Sequence, residues 1–93
     1  MKIIQSRSFE RRVKKFGKKQ KLQLDEQVKV IAEDPTIGTE KKGDLRRIYV
    51  HKSKIKTTQY LLAYRFVSEN LELIMIGPHE NYYRDLKKFL KRT

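Results

Sequence analysis

The stretch QYLLAYRFVSENLELIMIG, residues 59–77, restricts the fold more than any other part of the chain. Alternate positions of an extended strand face opposite sides, so Tyr60, Leu62, Tyr64 and Phe66 share one face and Leu61, Ala63, Arg65 and Val67 the other. Both faces are largely apolar, which suits a central strand covered by helices on one side. A second apolar run occupies residues 71–76, and the short polar link Ser68-Glu69-Asn70 leaves room only for a tight turn. The two runs are therefore expected to form an antiparallel hairpin at the heart of a sheet.

The rest of the chain is organised around that hairpin. Residues 2–5, KIIQ, read as a short first strand. Ser6 or Ser8 can cap a helix with apolar positions Phe9, Val13 and Phe16, and Gly17 is expected to end it. A second helix over residues 19–33 carries Leu24, Val28 and Ile31 on one stripe, with Leu22 and Ala32 beside it. Asp34-Pro35 stops it, because the residue before proline is pushed out of the helical region. After a loop over residues 36–44, a strand is expected at 46–52. Tyr83, Leu86, Phe89 and Leu90 mark a C-terminal amphipathic helix. The order is β-αα-βββ-α: one α+β domain over residues 1–93, a small and mainly antiparallel sheet packed by an N-terminal helical hairpin.

Charge speaks to partners rather than to fold. The 93 residues hold 23 Lys+Arg against 11 Asp+Glu, a net +12. Residues 1–45 carry 12 basic and 7 acidic side chains, and residues 46–93 carry 11 and 4, so the excess is no basic tail on a neutral body. Nucleic acid, ribosome or an acidic protein are the partners this implies, and a lysine-rich surface that only keeps the protein soluble is the alternative. Cysteine is absent, which rules out disulfides and thiolate metal sites. The N-terminus lacks the apolar core of a signal peptide, and no apolar run reaches the roughly 20 residues of a membrane span, so a soluble cytoplasmic protein is expected.

Two stretches could carry chemistry. In YVHKSKIKTTQY, residues 49–60, Lys52, Lys54 and Lys56 fall at strand spacing, with His51 on the opposite parity. Three ammonium groups on one face repel unless an anion sits among them; the other reading is a lysine-protected sheet edge. In GPHENYY, residues 77–83, His79 follows the last strand and Tyr82-Tyr83 open the last helix. Histidine exchanges protons near neutral pH, and a phenol can donate a hydrogen bond or stack on a base. Equally, Asn81 can cap the helix and Tyr83 can fill the core. No Gly-rich phosphate loop, nucleophile elbow or metal-ligand cluster occurs, so no metal and no cofactor is expected.

The segments DP (34–35), KKGDLRRIYVHK (41–52), YLLAYRF (60–66) and GPHENYYRDLKKFL (77–90) together resemble toxins of the RelE/ParE superfamily from bacterial type II toxin–antitoxin systems. The similarity is greatest to the YafQ-like RelE-type endoribonucleases and covers nearly the whole chain. The resemblance implies a RelE/ParE-like fold and a metal-free, ribosome-dependent cut in mRNA, in which the RNA 2′-hydroxyl attacks the adjacent phosphate. Translation inhibition and growth arrest would follow. Carried over by position, His79 is the acid or base, Tyr83 the aromatic that orients the nucleotide, and His51 a second proton-handling group. Lys52 and Lys54 are the phosphate-side cations. Many RelE relatives carry arginines at the position of Leu61 and near that of His79, so further charge must come from Lys56, Arg65 or Arg84. The implied partners are a cognate acidic antitoxin, mRNA and the ribosome with its 16S rRNA. The competing reading is a ParE-like inhibitor of DNA gyrase that cuts no RNA.

Overall fold

The computed structural model describes residues 2–41, 47–78 and 80–92. In chain order the elements are β1 (Lys2–Gln5), α1 (Arg7–Lys14), α2 (Lys18–Glu33), β2 (Thr39–Glu40), β3 (Tyr49–Ile55), β4 (Thr58–Val67), β5 (Asn70–Pro78) and α3 (Tyr82–Arg92). The strands form one sheet in the order β1-β5-β4-β3-β2. β1 runs parallel to β5, and the other pairings are antiparallel. This is the expected α+β architecture, with the two-residue β2 added in the loop after α2.

The hairpin of β4 and β5 lies at the centre, as the alternation predicts. Tyr64 and Leu62 are buried on one face and Leu61 and Ala63 on the other. Helices cover both faces, where the sequence pattern suggested one. Phe9 and Phe16 from the α1 segment and Leu24 and Ile31 from α2 pack with Leu62, Tyr64, Leu71, Leu73 and Ile76. On the other face, Tyr82 and Leu86 of α3 pack with Ile48, Val50, Leu61, Ala63 and Ile74. The C-terminal helix is short, but its Tyr82–Leu86 spacing presents one apolar stripe to that second face. A register shift between Ala63 and Tyr64 seats Ile74 and keeps both faces apolar along β5.

Local chemistry explains the element ends. The Ser6 hydroxyl accepts from the Phe9 amide, capping α1, and donates to the Ile74 carbonyl; the Ser6 amide also donates to the Leu73 carbonyl. One residue thus ends β1, starts α1 and fastens it to β5. Gly17 does not end α1; it sits in extended conformation as the N-cap of α2, and Lys15 closes α1. The reason is visible at Gln20, whose side chain accepts from the Gly17 amide. Leu22, placed beside the apolar stripe by spacing, is instead 59% exposed.

The loop after α2 hangs on Tyr64. Its hydroxyl donates to the Pro35 carbonyl at 2.6 Å and accepts from the Gly38 amide at 3.0 Å. A Cβ on Gly38 would lie 2.7 Å from that hydroxyl oxygen, so only glycine fits. Ser68 and Glu69, the two-residue turn between β4 and β5, both have positive φ (52° and 64°), the geometry of a type I′ hairpin turn.

Candidate functional site

Strand register decides which candidates share a face. Val50 of β3 is buried under α3, so Lys52 and Lys54, two and four residues on, project from the same side, both exposed. Lys52 pairs with Leu61, and Leu61 pairs with Gly77. Ser53, between the two lysines, pairs with Tyr60, which pairs with Pro78. At about 4.8 Å per strand, the end of β5 lies roughly 10 Å from these lysines. His79 itself lies outside the described residues, as do residues 42–46 of the KKGDLRR motif. Lys56 occupies the turn after β3 with φ 57°, and its amide donates to Gln23 of α2.

His51 is not on this face. It sits on the side of β3 that faces α2, where Nε2 lies 2.8 Å from Gln27 Oε1. Burial holds its pKa below the usual imidazole range, so near neutrality the ring is uncharged and Nε2–H donates to Gln27. Arg65 is also remote from the lysines, four residues along β4 from Leu61, and its Nε bonds Glu72 at 3.0 Å. Arg84, on α3, lies 3.8 Å from Asp85 and is exposed. These are the two ion pairs found among the described residues, leaving Lys52 and Lys54 without a neutralising partner.

Tyr83 stands at the start of α3, half-buried, at a right angle to Tyr82 with ring centroids 5.6 Å apart. The ammonium of Lys41 lies 4.9 Å from the Tyr83 ring centroid, a cation–π contact from the segment after β2. The core role that spacing left open for Tyr83 falls mainly to Tyr82, 3% exposed, whose hydroxyl donates to the Met75 carbonyl at 2.7 Å. Burial pushes the Tyr82 hydroxyl's pKa far upward, so it stays protonated and a donor at all working pH values.

Sequence reasoning missed a second group beside the same strand end. Ser8 and Arg12, four residues apart on α1, line a cleft with Gly77, Tyr82, Glu80 and Asp85. The signal was present, since i and i+4 positions share a helix face, but nothing in the sequence said that α1 runs along β5. Among the described residues, no cluster of His, Asp or Glu could hold a metal ion, and no helix is long and apolar enough to cross a membrane.

Residues 3–87 match the family described as ParE-like toxin of type II bacterial toxin–antitoxin system. No curated protein matches the chain. Among solved structures, the chain is similar to the intact E. coli RelBE toxin–antitoxin complex (TM-score 0.67, 22% identity, 85% of this chain and 96% of that one). It is similar to the isolated E. coli RelE toxin (0.64, 22%, 94% and 96%). A mutant of E. coli RelE in the free state gives 0.71 at 20% identity, over 98% and 95%. At these identities the likeness concerns the fold.

Proposed function

The chain belongs to the ParE-like toxins of type II bacterial toxin–antitoxin systems, and from that premise we propose that it is a ribosome-dependent mRNA endoribonuclease. The observation that carries this reading is the register row that sets Gly77, two residues before His79, in line with Lys52, which like Lys54 makes no ion pair among the described residues. RNA brings its own nucleophile, so a protein need supply only position, proton transfer and charge. The 2′-oxygen attacks the adjacent phosphorus, the P–O5′ bond breaks, and a 2′,3′-cyclic phosphate and a 5′-hydroxyl result. Lys52 and Lys54 offset the charge gathering on the phosphoryl oxygens. His79 moves the proton, and Tyr83, oriented by Tyr82 and Lys41, fixes the nucleotide. His51 plays no part in this scheme; bonded to Gln27, it braces β3 against α2.

Further support comes from the net +12 of so small a body, suited to phosphate-rich partners such as mRNA and the 16S rRNA of the ribosome. Such a toxin works in the cytoplasm and requires a cognate antitoxin. E. coli RelE is described in complex with one, and here an acidic segment that orders on binding would mask the basic face.

Primer extension on a translated message after induction tests the proposal. Wild type should cut within codons, and His79→Ala should lose about 10²–10⁴-fold in rate, the usual worth of a proton-transfer group. The description of the matching family as ParE-like favours one alternative, inhibition of DNA gyrase without cleavage. Intact messages together with gyrase-linked DNA breaks would establish that reading instead.

A further inference from the structure

The cleft beside β5, about 210 Å³, is built rather than incidental. β1 pairs with β5 only at residues 70–73, so the edge of β5 beyond Leu73 is free of a strand. The triple role of Ser6 sends α1 along that open edge. Phe9 and Val13 turn to the core, and Ser8 and Arg12 are left facing the strand end. Gly77 forms the floor. A Cβ built there would lie 3.8 Å from Arg12 Nη2 and 3.4 Å from Tyr82 Cδ1, so guanidinium and ring converge over a residue with no side chain of its own. Arg12 makes no ion pair among the described residues, although Glu80 and Asp85 line the α3 side of the same cleft.

We propose that this cleft seats one nucleotide of the RNA substrate, with Arg12 as the cation that grips its phosphate. The inference rests on the endoribonuclease reading and deepens it. Lys52 and Lys54 approach the β5 terminus from β3, and Arg12 approaches it from the opposite flank, so a single strand crossing that end meets cations on both sides. A guanidinium matches two phosphate oxygens at once, and the Ser8 hydroxyl one turn away can donate a further bond. The two carboxylates repel phosphate from the α3 rim and accept hydrogen bonds from a ribose hydroxyl or an exocyclic amine. The cleft therefore has a direction: phosphate toward α1, sugar or base toward α3.

The experiment compares wild type, Arg12→Gln, Arg11→Gln and Gly77→Ala. Each is assayed for cleavage of a message on programmed ribosomes and for binding of a short fluorescein-labelled oligoribonucleotide by anisotropy across a salt series. Arg11 is an exposed arginine of the same helix outside the cleft, so its loss controls for net charge. Arg12→Gln should raise KM roughly tenfold to a hundredfold, the effect of losing a hydrogen bond to a charged group, with kcat changed far less. Its salt slope should fall by about 0.7, one phosphate contact on a single strand. Gly77→Ala has room to fold but puts a methyl on the cleft floor, and it should raise KM with an unaltered melting temperature. Arg12→Gln matching Arg11→Gln in both KM and slope, or Gly77→Ala with wild-type KM, would overturn the proposal. A wild type that binds RNA yet cuts no translated message would overturn the nuclease reading instead, and the anisotropy comparison then decides Arg12.

Discussion

Tyr64 shows how much one hydroxyl can hold. It is fully buried, stacks on Tyr49 at 5.6 Å, and satisfies both the Pro35 carbonyl and the Gly38 amide. Tyr64→Phe leaves those backbone groups without their partner, and urea unfolding should show a loss of about 1–3 kcal/mol. Gly38→Ala should destabilise through a different cause, the 2.7 Å approach to the same oxygen. His51 makes a prediction about pH. Its folded pKa lies below the unfolded value of 6.5, so the unfolded chain binds the proton first as acid is added. The neutral strut is intact above about pH 6.5 and its contribution is lost as pH falls through the folded pKa. Melting temperatures at pH 7.5 and pH 5 should converge for wild type and His51→Gln if the ring is the cause, wild type losing more on acidification. An equal loss in both proteins would clear His51 of any part in the acid response.

At the scale of elements, the hairpin of β4 and β5 was legible because two alternating apolar runs flank a link too short for anything but a turn. Its turn chemistry was not, since Ser68 and Glu69 carry none of the usual glycine or asparagine signal for positive φ. They are held there by the pairing of Val67 with Asn70 on either side. Glu69→Gly should relieve this strain and stabilise by about 1 kcal/mol, read as a shift in urea midpoint at constant slope. The helical hairpin was also legible from its apolar spacing, whereas the role of Gly17 was not. Glycine serves at either helix end, and only the Gln20 side chain fixes which one this is. The site divides along the same line. Lys52 and Lys54 were placed together by strand periodicity alone. His51 was correctly set on the opposite parity, but the presence of Gln27 behind it depends on where α2 docks. Arg12 depends on how α1 crosses the sheet edge, a tertiary fact that no local pattern encodes.

For the whole molecule, a net +12 with two ion pairs among the described residues makes ionic strength the dominant external variable. Affinity for single-stranded RNA should fall steeply with salt, by a log–log slope of about 0.7 per neutralised phosphate. Replacing Lys52 and Lys54 together by glutamine should reduce that slope by about 1.4 and leave the melting temperature equal to or above that of wild type, since mutual repulsion is removed. An unaltered slope would return the pair to the role of guarding a sheet edge. The fold also sets a timetable. Ser6 and Ile74, which are 68 positions apart, must meet before β1 and α1 can settle on β5. At 5–20 residues per second, the N-terminal strand waits roughly 3–14 s for its partner to be synthesised. A cleft walled by Ser8 and Arg12 on one side and by Gly77, Tyr82 and Asp85 on the other therefore closes late: its first wall is made early and stands without a partner until the strand that completes it has been synthesised.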